Sequence, residues 1–507
     1  MLTKRLSRRD FLKSSVLAAA GVAVASCGPS ATPTMAPEAT TAPITAPEPT
    51  AIPTTAPEPT AAPTTAEEPT TAPAASGATY DEWVKVVAST DPLELRFVTW
   101  DDTTQAGPVQ DYYKYLEGEW KKRYPNGTIH WEQVGWGEIY PKVSGFLLAK
   151  DAVDIAYWCA FTTQNWCTMK AYWPLDDLMP KWWFDTRVPQ VLSPDSPGNC
   201  NGKIILVTPT LETEFHLVRK DVMEAAGVKP EDMYTFDGVL NSLKAMAKQP
   251  GFEKPYGLKI GADWSAVPSL GFYWMGNGLG FFGDFRADGS EKDAWIESAT
   301  FVKRLFEYAP EASLNWTYSE CEQAFATGQI ACHEHGNWWY DILSQYDPSH
   351  EKNNDKTTTI VPWPYGPSSP EKAPFWSLNL TGWGLFANSP AEHHQAAADL
   401  LAILSDKRAV YKQTSQCSTP ASTDWTVEER LEVSANPDIV WWWTLCDDLY
   451  KNQRSIGMKS YPASDEVWFK AQPMLVAMYR NELTPEQFYA QMREFALPLY
   501  EKAGYMG

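Results

Sequence analysis

Long apolar runs are nearly absent from this chain of 507 residues. The longest, residues 16–26, is about half of the roughly 20 residues that cross a bilayer as a helix, so no transmembrane helix is expected. Basic charge is in deficit: 42 Lys and Arg stand against 63 Asp and Glu, a formal net charge of −21. With no basic face to neutralise phosphates, nucleic acid is excluded as a partner. There is no CxxC pair, and His333-Glu334-His335 lacks the i, i+4 spacing of a metal-binding helix. No metal is therefore expected, and the tripeptide reads as a satisfied surface or hinge segment. There is no GxSxG either. Gly278-Leu279-Gly280-Phe281-Phe282-Gly283 satisfies GxGxxG but is not set in the strand–turn–helix unit, with its partner acid, that a dinucleotide needs. Neither a catalytic nor a cofactor signature is present, and no cofactor is expected.

What the chain does have starts at its N-terminus. Lys4, Arg5, Arg8, Arg9 and Lys13 precede the short apolar run, the layout of a signal peptide. Ser7-Arg8-Arg9-Asp10-Phe11-Leu12-Lys13 matches the twin-arginine export signal. Val24-Ala25-Ser26-Cys27 reads as a lipobox, with Cys27 as the lipidated first residue of the mature chain. These features predict an extracytoplasmic protein held to the outer face of the cell membrane through Cys27. Residues 28–78 are almost only Thr, Ala, Pro and Glu and cannot bury a core, so they form a disordered tether. At roughly 3.1 Å per residue such a spacer reaches on the order of 150 Å when extended. Seven cysteines follow Cys27; export permits disulfides, and an odd number leaves at least one thiol free or paired between chains.

The remaining stretch exceeds what one hydrophobic core supports, so two domains are expected. Residues 93–100 alternate like a strand, and Val109, Tyr112, Leu116 and Trp120 mark a helix over 109–124. Ile129, Trp131 and Val134 suggest a second strand, residues 141–148 a helix, and residues 154–158 a short buried strand. This βαβαβ order implies α/β architecture with a parallel sheet, whose ligands bind beyond the carboxyl ends of the strands. That rule places Trp100, Asp101 and Asp102, and Trp158 with Cys159, at the mouth of a site. A strand pair is expected at 203–208 and 214–219, then a helix over 221–226 stopped by Gly227 in a left-handed cap. Helix starts are expected at Ser290, at Ser319 with Glu322, at Ser389, and at Thr484 with Gln487.

The order of segments resembles bacterial extracellular solute-binding protein family 1, the substrate-binding lipoproteins of ABC sugar transporters. The resemblance covers about residues 91–425. It rests on Arg123-Tyr124-Pro125, Gly135-Trp136-Gly137-Glu138-Ile139-Tyr140, Pro174-Leu175-Asp176-Asp177-Leu178, the run from Asn201-Gly202-Lys203 to Gly227-Val228, Ala324-Phe325-Ala326-Thr327-Gly328 with Gly336-Asn337-Trp338, and Thr381-Gly382-Trp383-Gly384-Leu385. It implies a two-lobed periplasmic-binding-protein-like fold, each lobe a mostly parallel sheet flanked by helices, joined by a hinge. Lobe one would hold residues 79–209 and 360–420, and lobe two 210–359 and 421–507. It also implies capture of a solute, a mono- or oligosaccharide, between the lobes and its delivery to ABC permease subunits in the membrane. The chain departs from the pattern in Cys159, in its extra cysteines and in a Trp-dense C-terminal stretch, which leaves the solute open.

Tryptophan is the outstanding residue, with 24 copies. Any one Trp is by default core, but an indole face also stacks on the C–H face of a pyranose, with carboxylates accepting its hydroxyl hydrogens. The family-like blocks single out Trp136, Trp338 and Trp383, and the strand ends Trp100 and Trp158. Asp101, Asp102 and Glu212, beside the expected hinge, are the carboxylate candidates. A secreted glycoside hydrolase working with two carboxylates is the alternative from another class, and a binder of a non-sugar solute the alternative within this one.

Overall fold

The computed structural model describes residues 78–507 except 101–107, 135–138, 160–162, 195, 262–265, 348, 350–351, 413–418, 434–438, 459–462 and 503–507. Cys27, its leader and the tether, and among the expected site residues Asp101, Asp102 and Trp136, lie outside the described residues.

The chain first alternates β1 (Leu93–Thr99), α1 (Pro108–Arg123), β2 (Gly127–Gln133), α2 (Ile139–Ala149) and β3 (Ile155–Cys159), the order that the apolar periods predict. In β1 Leu95 and Phe97 are buried while Glu94 and Arg96 keep some exposure; in α1 Tyr112, Leu116 and Trp120 recur every four residues on the buried face. β1 lies parallel to β2 and to β3, with the helices as crossovers. Gly127 is required where β2 begins, because a Cβ there would stand 2.5 Å from the Trp120 ring. Behind β3, the helix α3 (Thr163–Met169) is tied by a Cys167–Cys200 disulfide to the ribbon of Asn199–Cys200 and Lys203–Ile204.

Residues 203–208 and the next strand, β4 (Glu214–Arg219), are not paired with each other, contrary to expectation. Val207 bridges to Trp383 beside the first sheet, whereas β4 belongs to a second sheet. The intervening residues are a crossing between sheets and not a hairpin turn. After α4 (Lys220–Ala225), Gly227 has φ +69°, the expected left-handed stop. The second lobe continues through β5 (Tyr256–Gly257), α5 (Ala266–Gly276), α6 (Lys292–Leu305), α7 (Tyr318–Ala326), β6 (Cys332–Gly336), α8 (Trp339–Tyr346) and β7 (Thr358–Val361). Its sheet has the order β7-β4-β6-β5. β4 is antiparallel to both β6 and β7, and only β5 runs parallel to β6, so this sheet is mixed and not mostly parallel. The reason is topological: β4 carries the chain away from the crossing, and β6 and β7 carry it back.

After β8 (Phe375–Leu378) the chain recrosses, and β9 (Thr381–Leu385) completes the first sheet, order β9-β3-β1-β2, antiparallel to β3. The helix α9 (His394–Leu404) covers that sheet beside α1, where Arg123 Nε and Tyr124 Oη reach Asp399 at 2.9 and 2.8 Å and Trp120 Nε1 donates to the Ala396 carbonyl. Then come α10 (Val440–Asn452), β10 (Arg454–Gly457) parallel to β8, and finally α11 (Ser464–Tyr479) and α12 (Pro485–Lys502), which pack in the second lobe. The result is the two-lobed α/β fold, helix-rich towards its C-terminus.

The helix starts divide. Thr484 and Gln487 exchange both capping hydrogen bonds as expected, at 2.9 and 3.2 Å. α7 instead starts two residues before the expected place, capped by Thr317 with Glu320, because Glu322 is taken by His335 at 3.0 Å. Ser389 does not cap a helix either; its hydroxyl donates to Asp154, which also accepts from the Arg96 amide and so staples β1 to the approach of α9. Ser290 closes a turn by donating its amide to Asp288, and α6 starts after Glu291 with no side-chain cap.

Candidate ligand site at the crossing between lobes

The crossing 207–214 carries Glu212 and Glu214 two residues apart, hence on one face of an extended chain. Glu212 is anchored by its backbone, whose carbonyl accepts from the Asn379 amide at 3.0 Å, and by its carboxylate, which accepts from Thr381 Oγ1 at 2.5 Å. Burial raises its pKa to about 7 against the lowering by the Thr381 hydrogen bond. Asn337 binds the same crossing: its amide donates to the Thr213 carbonyl, its Oδ1 accepts from the Thr213 amide, and its Nδ2 donates to the Leu211 carbonyl. Trp338, the next residue, is thereby held beside the stretch that holds Glu212. Its ring folds back over the end of β6, where a Cβ on Gly336 would collide with it at 2.1 Å, so only glycine admits this placement. The indole stays half-buried and lies 5.5 Å from the His335 ring.

The other expected residues divide by burial. Trp383 stands opposite Tyr157 in the β9–β3 register, 2 % exposed, with the Tyr157 and Phe97 rings at 5.1 and 6.0 Å. Trp100 follows β1, half-buried, 6.4 Å from Tyr157. Trp158 is on the other side of β3 from Tyr157, 4 % exposed, its ring 3.8 Å from Trp166. The structure therefore brings Trp100 and Trp383 towards a common neighbour, Tyr157, ties Asn337, the residue before Trp338, to both neighbours of Glu212, and separates Trp158 from Trp383.

Sequence reasoning missed the groups behind Glu212. Tyr318, half-buried at the start of α7, lies with its Oη 3.5 Å from Glu214 and its ring 3.9 Å from the Lys259 ammonium and 6.0 Å from His335. Trp338, His335 and Tyr318 thus form a continuous aromatic wall. Burial pushes the Glu214 carboxyl up to about 7, with Lys259 opposing and Glu334 adding to the rise. Lys259, 2 % exposed, is 3.8 Å from Glu334, which also accepts from Tyr273 at 3.1 Å and from the Ser269 hydroxyl. His333-Glu334-His335 is thus a fully buried part of β6 and not a surface segment, because Glu334 is the acceptor that these hydroxyls and Lys259 require. Among the described residues no group of three or more His, Cys, Asp or Glu is placed to hold a metal. The one sequence signal for this cluster was Lys259 itself, a lone cation in the apolar run Gly257-Leu258-Lys259-Ile260.

Trp338 and Tyr318, both half-buried, thus flank the buried His335 ring, with the Glu214 carboxylate beside Tyr318, at a crossing between the two lobes. A family model for the bacterial extracellular solute-binding proteins matches residues 105–410, and the chain belongs to that family. No curated protein matches the sequence. Solved structures share the fold. A chitin oligosaccharide binding protein has a TM-score of 0.63 at 17% identity, covering 81% of this chain and 99% of its own. The GacH receptor of Streptomyces glaucescens, solved unliganded and with acarbose, has a TM-score of 0.59 at 15% identity, covering 81% and 99%. Maltose-bound MalE3 of T. maritima has a TM-score of 0.59 at 15% identity, covering 80% and 100%. Among the described residues no helix is long and apolar enough to cross a membrane.

Proposed function

We propose that this protein captures a mono- or oligosaccharide between its lobes and delivers it to the permease subunits of an ABC importer, held to the membrane by a lipid on Cys27. The observation that carries the sugar reading is Trp338, a half-buried indole that follows Asn337, the residue that binds the crossing on both sides of Glu212. The ring supplies a π face for the C–H side of a pyranose and the carboxylate accepts its hydroxyls. Trp100 and Trp136 with Asp101 or Asp102 complete this reading from the first lobe, whereas Trp383 and Trp158, 2 % and 4 % exposed, offer no open face for stacking. The matching family and the structural neighbours are binding proteins, which supports grip over cleavage.

The test is a thermal-shift screen of maltotriose, xylotriose and chitotriose against an oligopeptide and a polyamine, followed by chromatography of each sugar and small-angle scattering. One sugar is expected to raise the melting temperature, come back intact and reduce the radius of gyration as the lobes close on it. Stabilisation by the peptide or the polyamine alone, or shortened sugar products, overturns the reading.

A further inference from the structure

The helix α3 starts at Thr163, just beyond the carboxyl end of β3, the edge at which an α/β sheet holds its ligands. Its Trp166 belongs to the core of the first lobe, packed on Trp158, and the Cys167–Cys200 disulfide fixes the helix to the ribbon that follows. One side chain of α3 reaches out of this lobe. Asn165 Oδ1 accepts a hydrogen bond of 3.0 Å from the Ala463 amide, 298 residues away. Ala463 stands at the start of α11, whose Val467, Trp468 and Leu475 lie in the core of the second lobe. The bond therefore joins the two cores at the mouth of the space between the lobes.

The backbone at the donor end is unusual. Ala463 has φ +67°, the left-handed region, where a Cβ is disfavoured and where the residue that caps a helix start is normally extended. Such a residue persists only where its surroundings over-determine it. Here Ser464, the next residue, is fully buried, and the Ala463 carbonyl accepts from the Val467 amide at 3.2 Å, closing the first turn of α11. The free N–H of Ala463 needs an acceptor, and the carboxamide oxygen of Asn165 supplies it from a helix clamped two residues on at Cys167. Both partners are only half-buried, so each can turn to water if the lobes part, and breaking the bond orphans neither group.

We propose that Asn165 is a positioning residue for capture, a latch that holds α3 against α11 while the lobes are together and releases it when they separate. It does not touch the solute in this role. Removing the acceptor weakens the joined arrangement with and without solute alike, so entry and release both speed up while affinity stays the same. The inference rests on the capture reading for this kinetic consequence.

The test has two arms, run on the full chain as wild type, Asn165→Ala and Asn165→Asp, the last of which keeps an acceptor in place. In hydrogen exchange without added sugar, the Ala463 amide is expected to be protected in wild type and in Asn165→Asp. In Asn165→Ala it is expected to exchange about three- to tenfold faster, the value of one hydrogen bond, with β3 and the later turns of α11 unchanged. The second arm is stopped-flow tryptophan fluorescence with maltotriose, xylotriose and chitotriose. For the sugar that binds, Asn165→Ala is expected to raise the association and dissociation rate constants together by the same factor, with Kd within about twofold, and Asn165→Asp to keep the wild-type rates. A wild-type Ala463 amide that exchanges like an open loop, protection that survives Asn165→Ala, or unchanged rate constants overturns the inference. So does a weaker Kd with unchanged association, which marks Asn165 as a solute contact instead. If none of the three sugars binds, the sugar reading fails and the exchange arm alone decides the latch.

Discussion

At the scale of single residues, the same side-chain type serves two purposes here, and burial separates them. Trp442 is fully buried and its Nε1 donates to the Asn337 carbonyl at 2.9 Å, whereas Trp338 keeps part of its face open. Trp442→Ala is therefore expected to cost about 3 to 5 kcal/mol of stability. Trp338→Ala is expected to cost about 1 to 3 kcal/mol of sugar affinity, roughly ten- to a hundredfold, with little loss of melting temperature. Calorimetric titration and melting curves on the two variants check this, and reversal of the pattern would remove Trp338 from the site. Glu212 and Glu214 give a pH signature with two opposite signs. Both have folded pKa values raised to about 7 by burial, above the ordinary carboxylate range, so the folded state holds their protons longer than the unfolded state does. The stability they contribute is full below the unfolded pKa and is lost as pH rises towards and through 7. Sugar affinity is expected to rise over the same window, because an ionised carboxylate is the better acceptor. Melting curves and titrations at pH 5 to 8 check both signs, and Glu212→Gln is expected to flatten each.

At the scale of elements, periodicity and tertiary demand meet at α1 and α9. The four-residue recurrence of Tyr112, Leu116 and Trp120 made α1 legible, but nothing in it says that Arg123 reaches Asp399, 276 residues away. That pair is buried, at 9 % and 1 % side-chain exposure, and Tyr124 shares the carboxylate. Burial raises the Asp399 pKa in spite of these partners, so desolvation is the larger effect. Asp399→Ala leaves the guanidinium buried without its counter-charge and is expected to destabilise by about 3 to 5 kcal/mol, read as a lower denaturation midpoint with an unchanged slope. Helix starts show the limit of local reading. Thr317 with Glu320 and Ser319 with Glu322 both fit a capping box, and the demand of His335 for Glu322 decides between them. Ser389 is lost as a cap for the same kind of reason, since Asp154 needs its hydroxyl.

At the scale of the whole molecule, the proposed anchor and the folded part are independent, because a Pro-rich tether adds reach but no hydrophobic affinity. Cys27→Ala is expected to move the protein from the membrane pellet to the soluble fraction without changing sugar affinity. A variant still in the pellet after a salt wash would show that something other than the lipid holds it. The two lobes were legible as a sequence resemblance and the first sheet as a period. The second sheet was legible only as α/β, because its mixed direction follows from where the chain crosses and recrosses.

The order of strands and helices in the first lobe, the stop at Gly227 and the cap at Thr484 were determined by the sequence alone, because each follows from contacts a few residues apart. So was the choice of Trp338 and Glu212 as candidates, through the blocks that contain them. Only the tertiary structure decided that Asn337 ties those two residues together, that Trp383 and Trp158 are packed in the first lobe, and that Lys259, Tyr318 and Glu214 stand behind the crossing. These pairings join residues tens to hundreds of positions apart. A burial pattern with a period of two or four tells which face of an element is covered, and it carries no information about which distant element covers it.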